Sequence, residues 1–367
     1  MSANPLRVML CDDSAVVRAA LARILESDPG IRVVARVGDG QAALKALEAA
    51  TAAERPQVIL LDLEMPVMDG MTALPLLLKR EPRPVVIVAS ALTQRGASQT
   101  MAAMQAGASD YIPKPTAALG GMADPGFRAE LLAKVKGWAR MGSRPAPAAA
   151  RPAGRPAGRA ASLGIVPRAI AIGSSTGGPQ ALAALVRRLP RGLRVPILLT
   201  QHMPPGFTAM LAQHLDTLGG PRCAEAVDGE VVEPGRLYVA PGDRHMLLTK
   251  RDAGPPRIAL NTDPPENFCR PAVDPMLRSM VPIYGRDLLA IILTGMGQDG
   301  LLGCQAVARA GGIIIAQDEA SSVVWGMPGA VAKAGLPKLQ APPEALADHV
   351  MAALQATPSH APLRHSA

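Results

Sequence analysis

Short runs of aliphatic residues recur along this chain, each ending at small or charged residues and most followed by a segment with helical spacing. That alternation limits the fold more than any other feature. Strands separated by helices pair in parallel and need helices on both faces of the sheet. In the first part, 6–11, 31–36, 58–61, 85–88 and 109–112 read as strands, with helices over 14–26 and 41–50. Further on, 169–172, 195–200, 288–293 and 313–316 read the same way, and 226–260 reads as short extended segments of a β-ribbon insertion. The expected fold is α/β in two domains, a doubly wound N-terminal sheet and a second, mainly parallel one.

The stretch 141–168 separates them. It is rich in Ala, Pro, Gly and Arg and lacks apolar periodicity, so it cannot build a core and reads as a linker. The chain then divides into 1–140, the linker, 169–356 and a polar tail at 357–367. The formal charge is +8, but Arg144, Arg151, Arg155, Arg159 and Arg168 fall in the linker with no acid among them. The basicity is therefore mostly the linker's, and with no helix-turn-helix in sight no nucleic-acid partner is expected. Cys11, Cys223, Cys269 and Cys304 are scattered. They suggest neither zinc nor a disulfide framework and read as small core residues of a reducing compartment. Acidic residues come too early for a signal peptide, and no apolar run is long enough to span a bilayer. A cytoplasmic protein without membrane insertion is expected.

The second domain opens on Gly173-Ser174-Ser175-Thr176-Gly177-Gly178, between an apolar run and a helix-spaced segment. Gly-x-Ser-x-Gly at a strand-to-helix turn fits a nucleophile elbow, with helix N–H groups free for an oxyanion. The competing reading is a dinucleotide loop, which needs an acid about twenty residues on. The stretch 194–200 contains none. A serine nucleophile needs a base and an orienting acid. His202 follows a strand, as Ser175 does, and His245 is its rival in the expected ribbon. Asp299, in a glycine-rich loop, and Asp318 are the candidate acids.

In the first domain Asp12, Asp13, Asp62 and Lys114 all fall at strand ends, where such sheets bind ligands. Clustered carboxylates call for a cation, and Mg²⁺ with phosphate oxygens suits them, with Lys114 free to pair with a phosphoryl group.

Asp12-Asp13, the segment 62–70 and Lys114-Pro115 resemble the receiver domain of two-component response regulators. The resemblance implies that Asp62 accepts a phosphoryl group from a histidine kinase. It gives Asp12, Asp13 and Asp62 to Mg²⁺, Lys114 to the phosphate and Tyr111 to the switch aromatic. The family's switch hydroxyl falls on Ala89, so the neighbouring Ser90 is the candidate for that task. The motifs 173–178, 201–208, 240–246, 293–300 and 326–328 resemble the chemotaxis protein-glutamate methylesterase family. That resemblance implies a triad of Ser175, His202 and Asp299, with Thr176 and Met296 lining the site near the oxyanion. Ser174 stands where the family usually has alanine. It implies demethylation and deamidation of methyl-accepting chemoreceptors under a chemotaxis histidine kinase, with no cofactor for the esterase step. It also implies that the unphosphorylated receiver covers the catalytic cleft. The other readings are a phosphorylation-switched module that binds nucleotide without catalysis and a DNA-binding response regulator.

Overall fold

Buried aliphatic strands set the first sheet. In the computed structural model, which describes residues 4–114, 121–142, 163–251 and 253–355, every residue of β3 (Val58–Asp62) and β4 (Val85–Ser90) is buried. With β1 (Leu6–Cys11), β2 (Ile31–Val37) and β5 (Asp110–Pro113) they form a parallel sheet in the order β2-β1-β3-β4-β5. Helices α1 (Ala15–Glu26), α2 (Gly40–Ala49), α3 (Gly70–Leu78), α4 (Gln94–Gln105) and α5 (Pro125–Gly142) connect the strands and close the domain. Polar side chains start four of them: Ser14, Asp39, Asp69 and Thr93 each accept a backbone N–H from the first turn. The chain so leaves the carboxyl ends of β1 to β4 through short capped loops, and Asp12, Asp62 and Lys114, at or just past the ends of β1, β3 and β5, fall on one edge.

The second sheet has seven strands, all parallel, in the order β14-β13-β12-β6-β7-β9-β8. They are β6 (Ala169–Ser174), β7 (Ile197–Gln201), β8 (Arg222–Glu225), β9 (Arg236–Val239), β12 (Leu288–Ile292), β13 (Ile313–Gln317) and β14 (Leu339–Ala341). The chain moves one way from β6 to β7 and the other way from β12 to β13, so the crevice between β6 and β12 is the topological switch point. The expected ribbon is shorter than its reading. Among the described strands only β10 (His245–Thr249) and β11 (Arg257–Asn261) pair antiparallel, with a single bridge from Val231 to Arg257 beside them. β8 and β9 join the main sheet, where Leu237, Tyr238 and Val239 are fully buried. Helices α6 (Gly178–Val186), α7 (Phe207–Thr217), α8 (Val273–Tyr284), α9 (Leu301–Arg309), α10 (Met327–Lys333) and α11 (Pro343–Gln355) cover the faces.

The expected linker loses both ends. α5 runs through Gly142, and Leu163 is buried in the second core with its carbonyl held by Lys338. Its middle, 143–162, and the tail from 356 lie outside the described residues.

The two bodies share one apolar cluster, in which Met101, Ala108 and Tyr111 meet Leu182, Phe207 and Leu211. Tyr111 stacks on Phe207 at 5.3 Å between ring centres. Gln180 Nε2 donates to Ala108 O, Arg140 Nη2 donates to Ser322 O, and Gln105 Nε2 lies 3.0 Å from His214 Nδ1. Among the described residues no helix is long and apolar enough to cross a membrane.

Candidate active site

The turn after β6 is the sharp one its glycines suggested. Gly177 has φ 74° and begins α6, and a Cβ on Gly178 would meet Gln201 Oε1 at 2.0 Å. Two adjacent serines emerge from it in different states. Ser174 is fully buried and its hydroxyl donates to Gln201 Oε1 at 2.7 Å. Ser175 is partly exposed, and among the described residues its hydroxyl has no hydrogen-bond partner. Gln201 Nε2 pins the Ser175 carbonyl at 2.9 Å, and Ser175 N donates to Thr294 O. A Cβ on Gly295 would lie 2.8 Å from Ser175 Cβ, so only glycine fits there. The Thr176 and Met296 N–H groups, on either side of this contact, donate to no protein acceptor among the described residues.

His202 follows β7, and its backbone N–H donates to Ser174 O, which seats the two loops side by side. Its Nε2 lies 2.8 Å from Asp299 Oδ2. Asp299 is buried and heavily held: Oδ2 also accepts from Val273 N at 2.6 Å, and Oδ1 accepts from Gly300 N, Asp274 N and Asn267 Nδ2. Burial alone would raise this carboxyl, but His202 and those N–H groups outweigh it and hold it below the usual carboxylate range. An ionised carboxylate only accepts, so Nε2 carries the ring proton and Nδ1 is the basic nitrogen. This reverses the usual serine-protease arrangement, in which the acid faces Nδ1. Nδ1 itself lies 3.3 Å from Cys269 Sγ.

The rivals fall away. His245 is buried, with Nε2 near Pro264 O and Nδ1 accepting from Ala272 N, so it supports the start of α8. Asp318 caps a turn by accepting from Ser321 N and Oγ. Three participants escaped the sequence reading. Asn267 bridges the buried carboxylates of Asp274 and Asp299. Asp274, raised to about 6 by burial, accepts from Gly303 N. Cys269 is not a core filler; its sulfur faces the histidine. Nothing in their spacing marked them: Asn267 and Cys269 lie in an irregular turn before the cis Arg270-Pro271 bond, and Asp274 lies just after it in the first turn of α8.

In the receiver, Asp12, Asp13 and Asp62 each bring a carboxylate oxygen within 4.8 Å of the others. Lys114 Nζ sits 2.7 Å from Asp12 Oδ2 and 2.6 Å from Asp62 Oδ2. Burial works against the lysine's charge, but the two carboxylates outweigh it and raise Lys114 above its ordinary range. Burial, partly offset by Lys114, holds Asp62 above the usual carboxylate range. Asp12 Oδ2 is buried and, although close to Lys114, makes no aligned hydrogen bond. An all-carboxylate donor set with an unsatisfied buried oxygen fits a hard divalent cation. Beside it lies a cavity of about 310 Å³ lined by Asp13, Asp62, Ser90 and Lys114. Ser90 ends β4 one residue past Ala89, which pairs with Asp62, and its hydroxyl donates to Gly96 O at 3.0 Å.

Between the two sites lies a receiver carboxylate that the sequence did not single out. Asp110 Oδ2 accepts from Trp138 Nε1 at 2.8 Å and from Gly177 N, two residues past Ser175, at 3.2 Å.

Known proteins match both bodies. A model of the CheB methylesterase family matches residues 170–350, and one of the response regulator receiver domain matches 8–119. The protein-glutamate methylesterase/protein-glutamine glutaminase of Azospirillum brasilense is 55% identical over 356 residues, 91% of this chain and 89% of that one. A protein of the same name, of a group 2 operon in Rhodospirillum centenum, is 49% identical over 361 residues, 91% and 90% of the two chains. Among solved structures, the Thermotoga maritima CheB methylesterase catalytic domain is 41% identical, covers 51% of this chain and 98% of that one, and has a TM-score of 0.49. A nucleotide-binding module without catalysis finds no support in these relatives. The chain belongs to the CheB methylesterase family, with a response regulator receiver domain ahead of its catalytic domain.

Proposed function

We propose that this chain is a phosphorylation-regulated serine hydrolase of chemotaxis. It demethylates glutamyl methyl esters of methyl-accepting chemoreceptors and deamidates receptor glutamines by the same acyl route. The observation that carries the reading is the His202–Asp299 pair at 2.8 Å beside the partly exposed elbow serine. Ser175 Oγ attacks the ester carbonyl while its proton passes to His202 Nδ1. The bond to the methoxy group breaks, and His202 returns the proton so that methanol leaves. Water then attacks the acyl-serine, again through His202, and glutamate is released. Asp299 holds the ring and balances the imidazolium. The Thr176 and Met296 N–H groups receive the oxyanion.

Asp62 is the phosphoryl acceptor, supplied by the chemotaxis histidine kinase. Asp12, Asp13 and Asp62 hold Mg²⁺, which when bound neutralises phosphoryl oxygens. Lys114 pairs with the new phosphate, and Ser90 reaches it by turning from Gly96 O. Tyr111 carries the change outward, because it lies on β5 three residues before Lys114 and its ring stacks on Phe207 of α7. The receiver rests on α6 and α7, so phosphorylation acts by shifting the equilibrium away from this packed arrangement. A protein that serves the inner ends of receptors and a kinase is placed in the cytoplasm. Methanol release from methylated receptor membranes tests the reading. The wild type should release methanol and Ser175→Ala should not; near-normal release by the variant would refute it.

A further inference from the structure

Cys269 occupies the place where a serine hydroxyl has to deliver its proton. With Nε2 committed to Asp299, Nδ1 is the only ring nitrogen of His202 left for base work, and its partner is the Cys269 sulfur at 3.3 Å. Ser175 is partly exposed, and its hydroxyl has no hydrogen-bond partner among the described residues. The turn that presents the sulfur is tightly defined. Glu266 and Cys269 exchange backbone hydrogen bonds, and Asn267 and Phe268 between them have φ of 52° and 63°. Such left-handed values are uncommon without glycine and need outside support. Asn267 gives it by donating to Asp274 Oδ2 and Asp299 Oδ1. One turn therefore fixes the acid on one side of the ring and the thiol on the other.

We propose that Cys269 is a positioning residue whose sulfur holds Nδ1 of His202 in the resting enzyme and has to leave that nitrogen before Ser175 can hand over its proton. This rests on Ser175, His202 and Asp299 forming the hydrolytic triad. Electrostatics point the same way. Burial disfavours a charged ring, but the Cys269 sulfur and Asp299 outweigh it and push His202 up to about 10. A ring held as imidazolium cannot accept a proton. The groups facing it are Cys269, from the turn before α8, and Asp299, from the loop after β12, with Asp274 of α8 behind Asp299. The nearby cations are turned elsewhere: Arg270 to Asp243 and the Thr262 and Asp263 carbonyls, Arg278 to Glu266. Cys269 is not itself read as the nucleophile, because the Thr176 N–H, without an acceptor among the described residues, and the start of α6 lie next to Ser175.

The test is the pH–rate profile of the full chain on methylated receptor membranes, with a small-molecule phosphodonor and Mg²⁺. Wild type, Cys269→Ala and Cys269→Ser are compared. Cys269→Ala should move the acid limb down by about one pH unit or more and raise kcat near neutral pH by up to about tenfold, with KM unchanged. Cys269→Ser, whose shorter side chain keeps a hydroxyl near Nδ1 but not the sulfur, should fall between. An acid limb that stays in place, or a kcat that drops, overturns the proposal. A second readout does not depend on turnover. In a Ser175→Ala background, NMR titration of His202 should give a lower pKa when Cys269 is also replaced, and an unchanged pKa overturns the proposal. If Ser175→Ala alone keeps full turnover, the triad reading has failed, and the titration still decides what Cys269 does to the ring.

Discussion

The receiver and the catalytic body carry their chemistry at the same place, the carboxyl ends of parallel strands, yet their polar centres rest in different states. In the receiver the charges already answer one another: Lys114 touches both Asp12 and Asp62, and an open cavity lies beside them. A phosphoryl group entering there finds its cationic partner in place. In the catalytic body Asp299 is overdetermined, with four N–H donors besides His202. The His202 ring it holds meanwhile has its other nitrogen engaged with sulfur. The first centre is complete but for a ligand. In the second, hydrogen bonds hold Asp299 and one ring nitrogen of His202, and the receiver packs against the body that carries it. A switch of this kind puts its adaptable charges where the signal arrives and its fixed charges where the bond breaks.

The largest effect should come from breaking the rigid side. Asp299→Asn keeps the volume but removes the charge that stabilises an imidazolium, and kcat should fall about 10³- to 10⁴-fold with the fold intact. Next comes the receiver. Asp62→Asn should abolish stimulation by phosphodonor and leave the unstimulated rate as it was; stimulation that survives would mean the signal enters elsewhere. A smaller effect lies in the seam between the bodies. Tyr111→Leu keeps an apolar side chain but loses the stack on Phe207, a contact of about 0.5–1.5 kcal/mol, so the unphosphorylated rate should rise about two- to tenfold. A fall would show that the stack supports the active arrangement instead.

A separate effect is expected on stability against pH. The folded-state value of His202 is raised, from 6.5 to about 10. Its stabilisation is therefore fully present below about 6.5 and is lost as pH rises through about 10. Between these values the melting temperature of the wild type should decline more than that of His202→Gln, and parallel curves would contradict the raised value.

Much of this was legible in the sequence, for definite reasons. β3, β4, β6 and β12 are buried along their whole lengths, so they read as unbroken apolar runs, and the residues that follow them inherit a strand-end position. Asp62, Ser175 and Asp299 could be found that way, and Ser174 needed only the structure to show its hydroxyl spent on Gln201. What was not legible depends on contacts across long separations. Asn267 and Cys269 act through a turn whose conformation no periodicity signals, and it is that turn which brings Asn267 onto Asp274 of α8. Asp110 faces Gly177 because two sheets happen to meet there, and neither sheet's own pattern records the other. β9 was read as ribbon because short strands at a sheet edge resemble hairpin strands until their neighbours are known.

The most direct test of the account is methanol release by one preparation of the full chain, before and after a phosphodonor and Mg²⁺ are added. The account predicts slow release that rises on addition in the wild type, stays slow in Asp62→Asn and is absent in Ser175→Ala. Release that is equally fast without phosphodonor would contradict the claim that the receiver, resting on α6 and α7, holds the catalytic centre in check.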